Sequence, residues 1–169
     1  MKEQMKNAIK EIYRIASQAL STEQIYSVVL ATDDDCGSLY LAFGTEQALE
    51  EINQRYQDLE GDFNFRYMYT EYLRTDDDYT EIMNEISRQL FDRMMATNEA
   101  TYEKHRADTL HTMAEVMYEL KQENSIPATV FTYISITDSD VEQLEKSVAI
   151  RCNPHHPELD AFLKSWDIT

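Results

Sequence analysis

The chain of 169 residues is poor in residues that interrupt regular structure, with 3 glycines and 3 prolines. Phosphate-binding loops and dinucleotide-binding fingerprints are excluded, because each needs several glycines at a fixed spacing. So few turn residues predict long helices and few turns. No segment rich in serine, glycine or proline divides the sequence, and we therefore expect a single domain over residues 1–169.

Cysteines and long apolar runs are also scarce. The two cysteines, Cys36 and Cys152, do not suggest a disulfide framework, and in a reducing compartment they would remain thiols. No stretch nears the roughly 18 apolar residues of a membrane span, and the charged N-terminal segment lacks the apolar core of a signal peptide. These absences predict a cytoplasmic protein without a membrane partner.

Basic residues are the third scarcity, with 15 lysines and arginines against 32 aspartates and glutamates, and the net charge is −17. Such a charge repels nucleic acid, whose binding depends on contacts between basic side chains and phosphates. It favours a basic protein as partner, although acidity can also serve solubility alone. The hydrophobic content of 43% is enough for a packed core.

Hydrophobic periodicity predicts an α+β fold, with a small mixed β-sheet of about four strands covered by several amphipathic helices. Helices are predicted over residues 3–20, 45–58, 76–96, 99–122, 139–149 and 157–166. In the helix over 76–96, Phe91 and Met94 are assigned to the apolar face. Strands are predicted over residues 25–31, 39–43, 65–72 and 129–136, and the first two form a hairpin.

The run Asp33, Asp34 and Asp35 in "VVLATDDDCGSLYLAF" lies at the tip of this predicted hairpin. It does not match an EF-hand loop, which needs Gly at position 6 and Glu at position 12, where this chain has Ser38 and Gly44. Two interpretations stay open. The run is either a solvated turn, which aspartate and glycine favour, or part of a magnesium or manganese site, since carboxylates suit those ions.

A second acidic run, Asp76, Asp77 and Asp78, follows Thr75. The spacing of Thr75 and Asp78 is typical of a capping box, and three carboxylates in a first turn favour the positive end of a helix. We interpret this run as structural.

The helix predicted over 45–58 should return the chain to the end of the sheet where the hairpin tip lies, because helix and strand have similar lengths. That return places Asp58, Glu60 and Asp62 near the three aspartates of the tip. Six carboxylates would then form one negative patch, suited to a basic protein or to divalent cations.

Tyrosine is abundant, with 11 residues, and the predicted third strand carries Tyr67 and Tyr69. Aromatic residues favour strands, so these side chains either pack against the sheet or form a contact surface rimmed by acids. We include Tyr67 and Tyr69 in the candidate partner-binding surface.

No catalytic signature stands out. The segment "CNPHH" joins Cys152 to His155 and His156, which resembles half of a zinc site, but no second ligand pair follows at a matching spacing. There is no G-x-S-x-G elbow and no cysteine in a recognisable His/Asn signature. We expect no metal and no cofactor.

Two zones resemble the bacterial domain-of-unknown-function family 4303. In "ATDDDCGSLYLAFGTEQALEEI", a strand ends in Thr-Asp-acid, a second short strand follows, and Thr45-Glu46 opens a helix. In "VFTYISITDSD" and "SVAIRCNP", a strand and an acidic turn precede Asn-Pro and the last helix. The zones lie within residues 28–52 and 129–154. The resemblance implies an α+β fold and carries over no catalytic residues, and the tryptophan-rich middle of the family has no counterpart in residues 63–79.

These observations favour a non-enzymatic acidic binding protein, most specifically an immunity or antidote-like protein that neutralises a basic partner such as a bacterial toxin domain. Two alternatives stay open. One is a metal-dependent hydrolase that uses Asp33, Asp34 or Asp35, and the other is a housekeeping assembly module.

Overall fold

The computed structural model describes residues 1–58, 64–137 and 141–166. Its mixture of helices and strands confirms the α+β class. In chain order the elements are α1 (Lys2–Ala19), β1 (Ile25–Thr32), β2 (Leu39–Thr45), α2 (Glu46–Arg55), α3 (Ile82–Met95), α4 (Glu99–Gln122), β3 (Phe131–Ile136), α5 (Glu142–Cys152) and α6 (Leu159–Ser165).

The sheet of the described residues has three strands in the order β2-β1-β3. The central strand β1 is antiparallel to β2, as the hairpin prediction requires, and parallel to β3. Nearly every residue of β1 is buried, which explains its almost unbroken apolar sequence. Because β1 and β3 run in the same direction, they begin at one end of the sheet, and the hairpin tip lies at the other end.

The two faces of the sheet are packed differently. Val28 and Leu30 of β1 face a large aliphatic core that includes residues of α1, α3 and α4. Val29 faces the opposite way, as the alternation of a strand requires, into an aromatic core with Phe131 of β3 and Phe162 of α6. No helix in the described ranges is long and apolar enough to cross a membrane.

The third strand predicted over residues 65–72 is wrong, and the prediction of about four strands is corrected to three in the described residues. This segment instead forms two short 3-10 helices. The carbonyl of Arg66 accepts a hydrogen bond from the Tyr26 hydroxyl at 3.0 Å, and the carbonyl of Tyr67 accepts one from Tyr133 at 3.1 Å. Because side chains satisfy these backbone groups, the segment needs no neighbouring strand.

The predicted helix over 76–96 is also corrected at its start. Asp76–Asp78 form a separate 3-10 turn, and α3 begins at Ile82. The predicted helix over 45–58 ends at Arg55, whereas those over 3–20 and 99–122 are confirmed to within about a residue at each end.

A buried carboxylate joins α5 to the end of β3. One oxygen of Glu145 accepts hydrogen bonds from the backbone N–H of Ile136 at 2.6 Å and from the Ser135 hydroxyl at 3.1 Å. The other oxygen has no hydrogen-bond partner among the described residues, and the residue is only 3% exposed. Burial raises the pKa of the Glu145 carboxyl to about 7, because the charged form loses its hydration.

We therefore predict that Glu145 makes the fold less stable as the pH rises. The unfolded carboxyl loses its proton near its ordinary pKa of 4.5, and the folded one retains its proton up to about pH 7. Across this window the folded chain binds more protons, so the free energy of unfolding falls as the pH rises, by an amount on the order of 2 kcal/mol. Glu145→Gln should remove this contribution, as measured by urea unfolding at about pH 5 and about pH 8.

The matched control is Glu3→Gln, which removes one negative charge at an exposed position of α1. The free energy of unfolding of this variant should fall between the two pH values by the same amount as that of the unaltered protein. If Glu145→Gln lost as much stability between the two pH values as the unaltered protein and the control, the role assigned to Glu145 would be contradicted.

Candidate functional site

The hairpin tip between β1 and β2 is closed by Asp33. One oxygen of its carboxylate accepts a hydrogen bond from the backbone N–H of Gly37 at 2.9 Å, and the other accepts one from the Ser38 hydroxyl. The backbone N–H of Cys36 also donates to the Asp33 carbonyl at 3.0 Å. Asp33 thus acts as the structural residue of the turn, which agrees with the turn interpretation of this aspartate.

The unusual backbone conformation in this turn belongs to Cys36, whose φ of 54° lies in the left-handed region. Gly37 leaves room for a neighbouring side chain. A β-carbon there would lie 3.1 Å from Sδ of Met94, a tight contact that this flexible side chain avoids beside a glycine. Cys36 is fully buried, and burial raises the pKa of its thiol to about 11.

The other two aspartates of the tip are joined to the first turns of α4. Nη2 of Arg106 donates to the Asp34 carboxylate at 2.8 Å, and Nε donates to the Asp34 carbonyl at 3.0 Å. The Tyr102 hydroxyl donates to the Asp35 carboxylate. Both aspartates nevertheless remain largely exposed, so their charges still face solvent.

These separate partners do not resemble the ligand set of a cation. A metal site needs several donor groups around one point, whereas the three carboxylates of the tip hold a turn, an arginine and a tyrosine. Among residues 1–58, 64–137 and 141–166, no group of three or more His, Cys, Asp or Glu side chains could hold a metal ion.

An exposed apolar pair lies on α3, the helix that approaches the tip. Phe91 is 51% exposed and Met95 is 66% exposed, and they lie four residues apart on α3, hence on one side of that helix. Met94, which contacts the tip at Gly37, belongs to the same turn of the helix. The assignment of Phe91 to the buried face of the helix is therefore wrong, whereas Leu90, which the same periodicity assigns to this face, is buried in the core.

We call this region the tip face, and it consists of Asp34, Asp35, Phe91, Met95 and Tyr102.

Of the other three acids predicted near the tip, the structure describes only Asp58. Asp58 is exposed in the turn after α2, and within the described residues no hydrogen bond or ion pair joins it to the hairpin tip. Glu60 and Asp62 lie outside the described residues. The patch of six carboxylates therefore stays a prediction.

Tyr67 and Tyr69 pack inward. Tyr67 is only 9% exposed, its hydroxyl donates to the carboxylate of Glu158, and its ring packs edge-on against Phe162 with the ring centres 5.5 Å apart. Tyr69 is half-buried beside Tyr40. The expectation that Tyr67 is an exposed anchor is corrected, because the segment that carries it folds its aromatic side chains onto the sheet.

The second acidic run is structural, as expected. Thr75 and Asp78 form a capping box in which the backbone N–H of Thr75 donates to the Asp78 carboxylate at 2.8 Å. Asp76 is 1% exposed and accepts a hydrogen bond from the backbone N–H of Leu41 at 2.7 Å. Burial raises the pKa of Asp76 to about 6. The run thus bonds this segment to the outer edge of β2, and the segment covers backbone groups that would otherwise form an exposed sheet edge.

The "CNPHH" segment follows α5 and does not form a zinc site. Cys152 is buried, and burial raises the pKa of its thiol to about 12. Both ring nitrogens of His156 are already occupied, because Nδ1 accepts from the N–H of Glu158 at 3.2 Å and Nε2 lies 3.1 Å from the carbonyl of Thr129.

The comparisons with known proteins return one match. The family model described as "Domain of unknown function (DUF4303)" matches residues 1–153, well beyond the two zones that carry the resemblance in the sequence. No curated protein and no solved structure matches the chain.

The geometry of the tip predicts unequal effects for its aspartates. Asp33→Ala should lower the free energy of unfolding by about 1–2 kcal/mol, because the Gly37 N–H and the Ser38 hydroxyl lose their acceptor. Asp35→Asn should change it by less than about 0.5 kcal/mol, since Asp35 is exposed and its partner is a single exposed hydroxyl. Urea unfolding at neutral pH measures both, and equal losses would contradict the role given to Asp33.

Proposed function

The chain belongs to the DUF4303 family, whose description assigns no activity, and we propose that it is a non-enzymatic acidic protein that binds a basic protein partner through the tip face. The observation that carries this proposal is the exposed pair Phe91 and Met95 on α3, the helix whose Met94 lies against the hairpin tip at Gly37. Large apolar side chains next to charged groups supply the apolar anchors and polar rim that protein interfaces need.

The charge of the molecule supports a basic partner. A net charge of −17 repels acidic proteins and nucleic acid at long range and accelerates the encounter with a basic surface. Asp34 and Asp35 project into solvent while Arg106 and Tyr102 hold them in place. A basic protein can therefore meet preorganised carboxylates, whose ordering no longer opposes binding.

In its most specific form, the proposal is an immunity or antidote-like role, in which the chain occupies and neutralises a basic toxin domain. A small acidic protein that needs no cofactor suits such a role, because tight occupation of the partner is the whole activity. For the hydrolase alternative, the described part of the chain contains no cluster of side chains that could hold a metal ion. The assembly-module alternative differs from the immunity role in the partner that the chain binds. Purification of the chain with its bound partner identifies that partner and therefore tests both.

The proposal predicts a salt-sensitive complex that depends on the tip face. A tagged chain purified from its own host at low salt should retain one basic protein in stoichiometric amount, and raised salt should weaken the complex. With both proteins purified, Phe91→Ser combined with Met95→Ser should weaken Kd by about tenfold or more, since central apolar anchors dominate interface energies. Asp34→Asn combined with Asp35→Asn should chiefly slow association.

The matched control variants remove an apolar side chain or two charges at positions outside the tip face. Ile150→Ser removes an exposed apolar side chain on α5, and Asp77→Asn combined with Glu81→Gln removes two exposed charges at a distance in sequence from the tip. Asp33 is left unaltered because its loss would perturb the turn itself. The proposal fails if no basic protein is retained, or if the control variants weaken the complex as much as the tip-face variants.

A further inference from the structure

A cleft of about 670 Å³ opens at the end of the sheet opposite the hairpin tip. It lies where β1 and β3 begin, between the end of α4 and the segment that joins α5 to α6. Its volume falls within the range of about 300–1,000 Å³ that is usual for small-molecule sites. Ile25, Tyr26, Ala128, Pro154 and Pro157 give it apolar walls. We call it the base cleft.

Lys121 is a positive charge on the lining of the base cleft that has no carboxylate partner within residues 1–58, 64–137 and 141–166. Its ammonium donates to the carbonyl of Pro127 at 2.9 Å and to the carbonyl of Val130 at 2.7 Å. An ammonium group has three N–H donors, so one remains for another acceptor. Partial burial lowers the pKa of Lys121 to about 8, and the side chain is still mostly charged at neutral pH.

Another part of the lining holds an ion network of one guanidinium and two carboxylates, which carries one net negative charge. Arg66 donates to the carboxylate of Glu46 at 2.8 Å and to the carboxylate of Glu158 at 2.9 Å, and its guanidinium lies 4.0 Å from the centre of the Tyr26 ring. Because Arg66 binds both carboxylates, neither is directed at Lys121. Neither carboxylate forms an ion pair with Lys121.

The remaining polar side chains of the base cleft differ in what they still offer. Asn153 is fully used, since its amide oxygen accepts from the N–H of Thr132 at 3.0 Å and its amide nitrogen donates to the carbonyls of Thr132 and Ala149. His156 is fixed by Thr129 and the backbone of Glu158. His155 is exposed at the opening and forms no hydrogen bond within the described residues.

We propose that the base cleft binds a small molecule through an anionic group, a carboxylate or a phosphate, which accepts a hydrogen bond from Lys121 while the body of the ligand contacts the apolar walls. In a chain of strongly negative charge, an anion is repelled from most of the surface, so an unpaired lysine inside a cleft is the place where it can be held. This site is independent of the tip face.

The sharpest test leaves Lys121 unaltered and changes Ala128, which is exposed on the lining of the base cleft. Ala128→Glu adds a carboxylate to the cleft, and Ala128→Gln adds a side chain of the same size without charge. Isothermal titration uses benzoate and phenyl phosphate as anionic probes and benzamide as the neutral one. Of the two anionic probes, the one that binds more tightly identifies the preferred group.

We expect at least one anionic probe to bind the unaltered protein and the Ala128→Gln variant with similar Kd, and benzamide to bind neither. Ala128→Glu should weaken the binding of the anionic probe by about tenfold or more, because the added carboxylate repels the anion inside a partly buried cleft. The proposal is overturned if neither anion binds the unaltered protein, if benzamide binds as well as the anions, or if the two Ala128 variants bind alike.

A second variant addresses the lysine directly. Lys121→Gln keeps a group that can donate to the carbonyls of Pro127 and Val130 but removes the charge. If its thermal unfolding is cooperative, it should lose the binding of the anionic probe, and retained binding would contradict the role of Lys121. If the variant does not fold, the comparison between Ala128→Glu and Ala128→Gln decides the proposal.

Discussion

The constraint on which the rest of the structure depends is the pairing of β1 on both of its edges. Strand β1 is bonded antiparallel to β2 and parallel to β3, and apolar layers bury both of its faces. A strand in this position cannot shift by one residue without exchanging the aliphatic layer for the aromatic one. Its two ends therefore fix the two regions of interest, the tip face at one end of the sheet and the base cleft at the other.

Side chains take the place of a larger sheet. Tyrosine hydroxyls satisfy carbonyls of the segment around Arg66, and Asp76 satisfies a backbone N–H at the outer edge of β2. These polar groups are buried and hydrogen-bonded, so they fix the irregular backbone in one arrangement. In a larger sheet, a neighbouring strand would provide these hydrogen bonds. Tyr26, Tyr72 and Tyr133 serve this internal role, whereas the large exposed apolar side chains Phe91 and Met95 belong to α3.

Local sequence signals predicted the elements that depend on local physics. The periodicity of residues 3–20 and 99–122 gave their helices, and the polar run between two apolar segments gave the hairpin. The tip interactions were beyond such reasoning, because Asp35 and Tyr102 are 67 residues apart and Asp34 and Arg106 are 72 residues apart. The strand predicted over 65–72 failed for the same reason, since the hydroxyls that shape it come from distant strands. Phe91 illustrates a third limit: its neighbour Leu90 fits the core pattern equally well, and only the packing decides between them.

The central claim is that the tip face, and not the base cleft or the tyrosine-rich segment, meets a basic protein. Amide hydrogen exchange of the chain, measured with and without the basic protein that it retains, tests this claim most directly. The account predicts slower exchange for residues 33–38, 91–96 and 99–106 in the complex, with residues 65–72 and 152–158 unchanged. Protection confined to residues 65–72 or 152–158, with the hairpin tip unchanged, would contradict it.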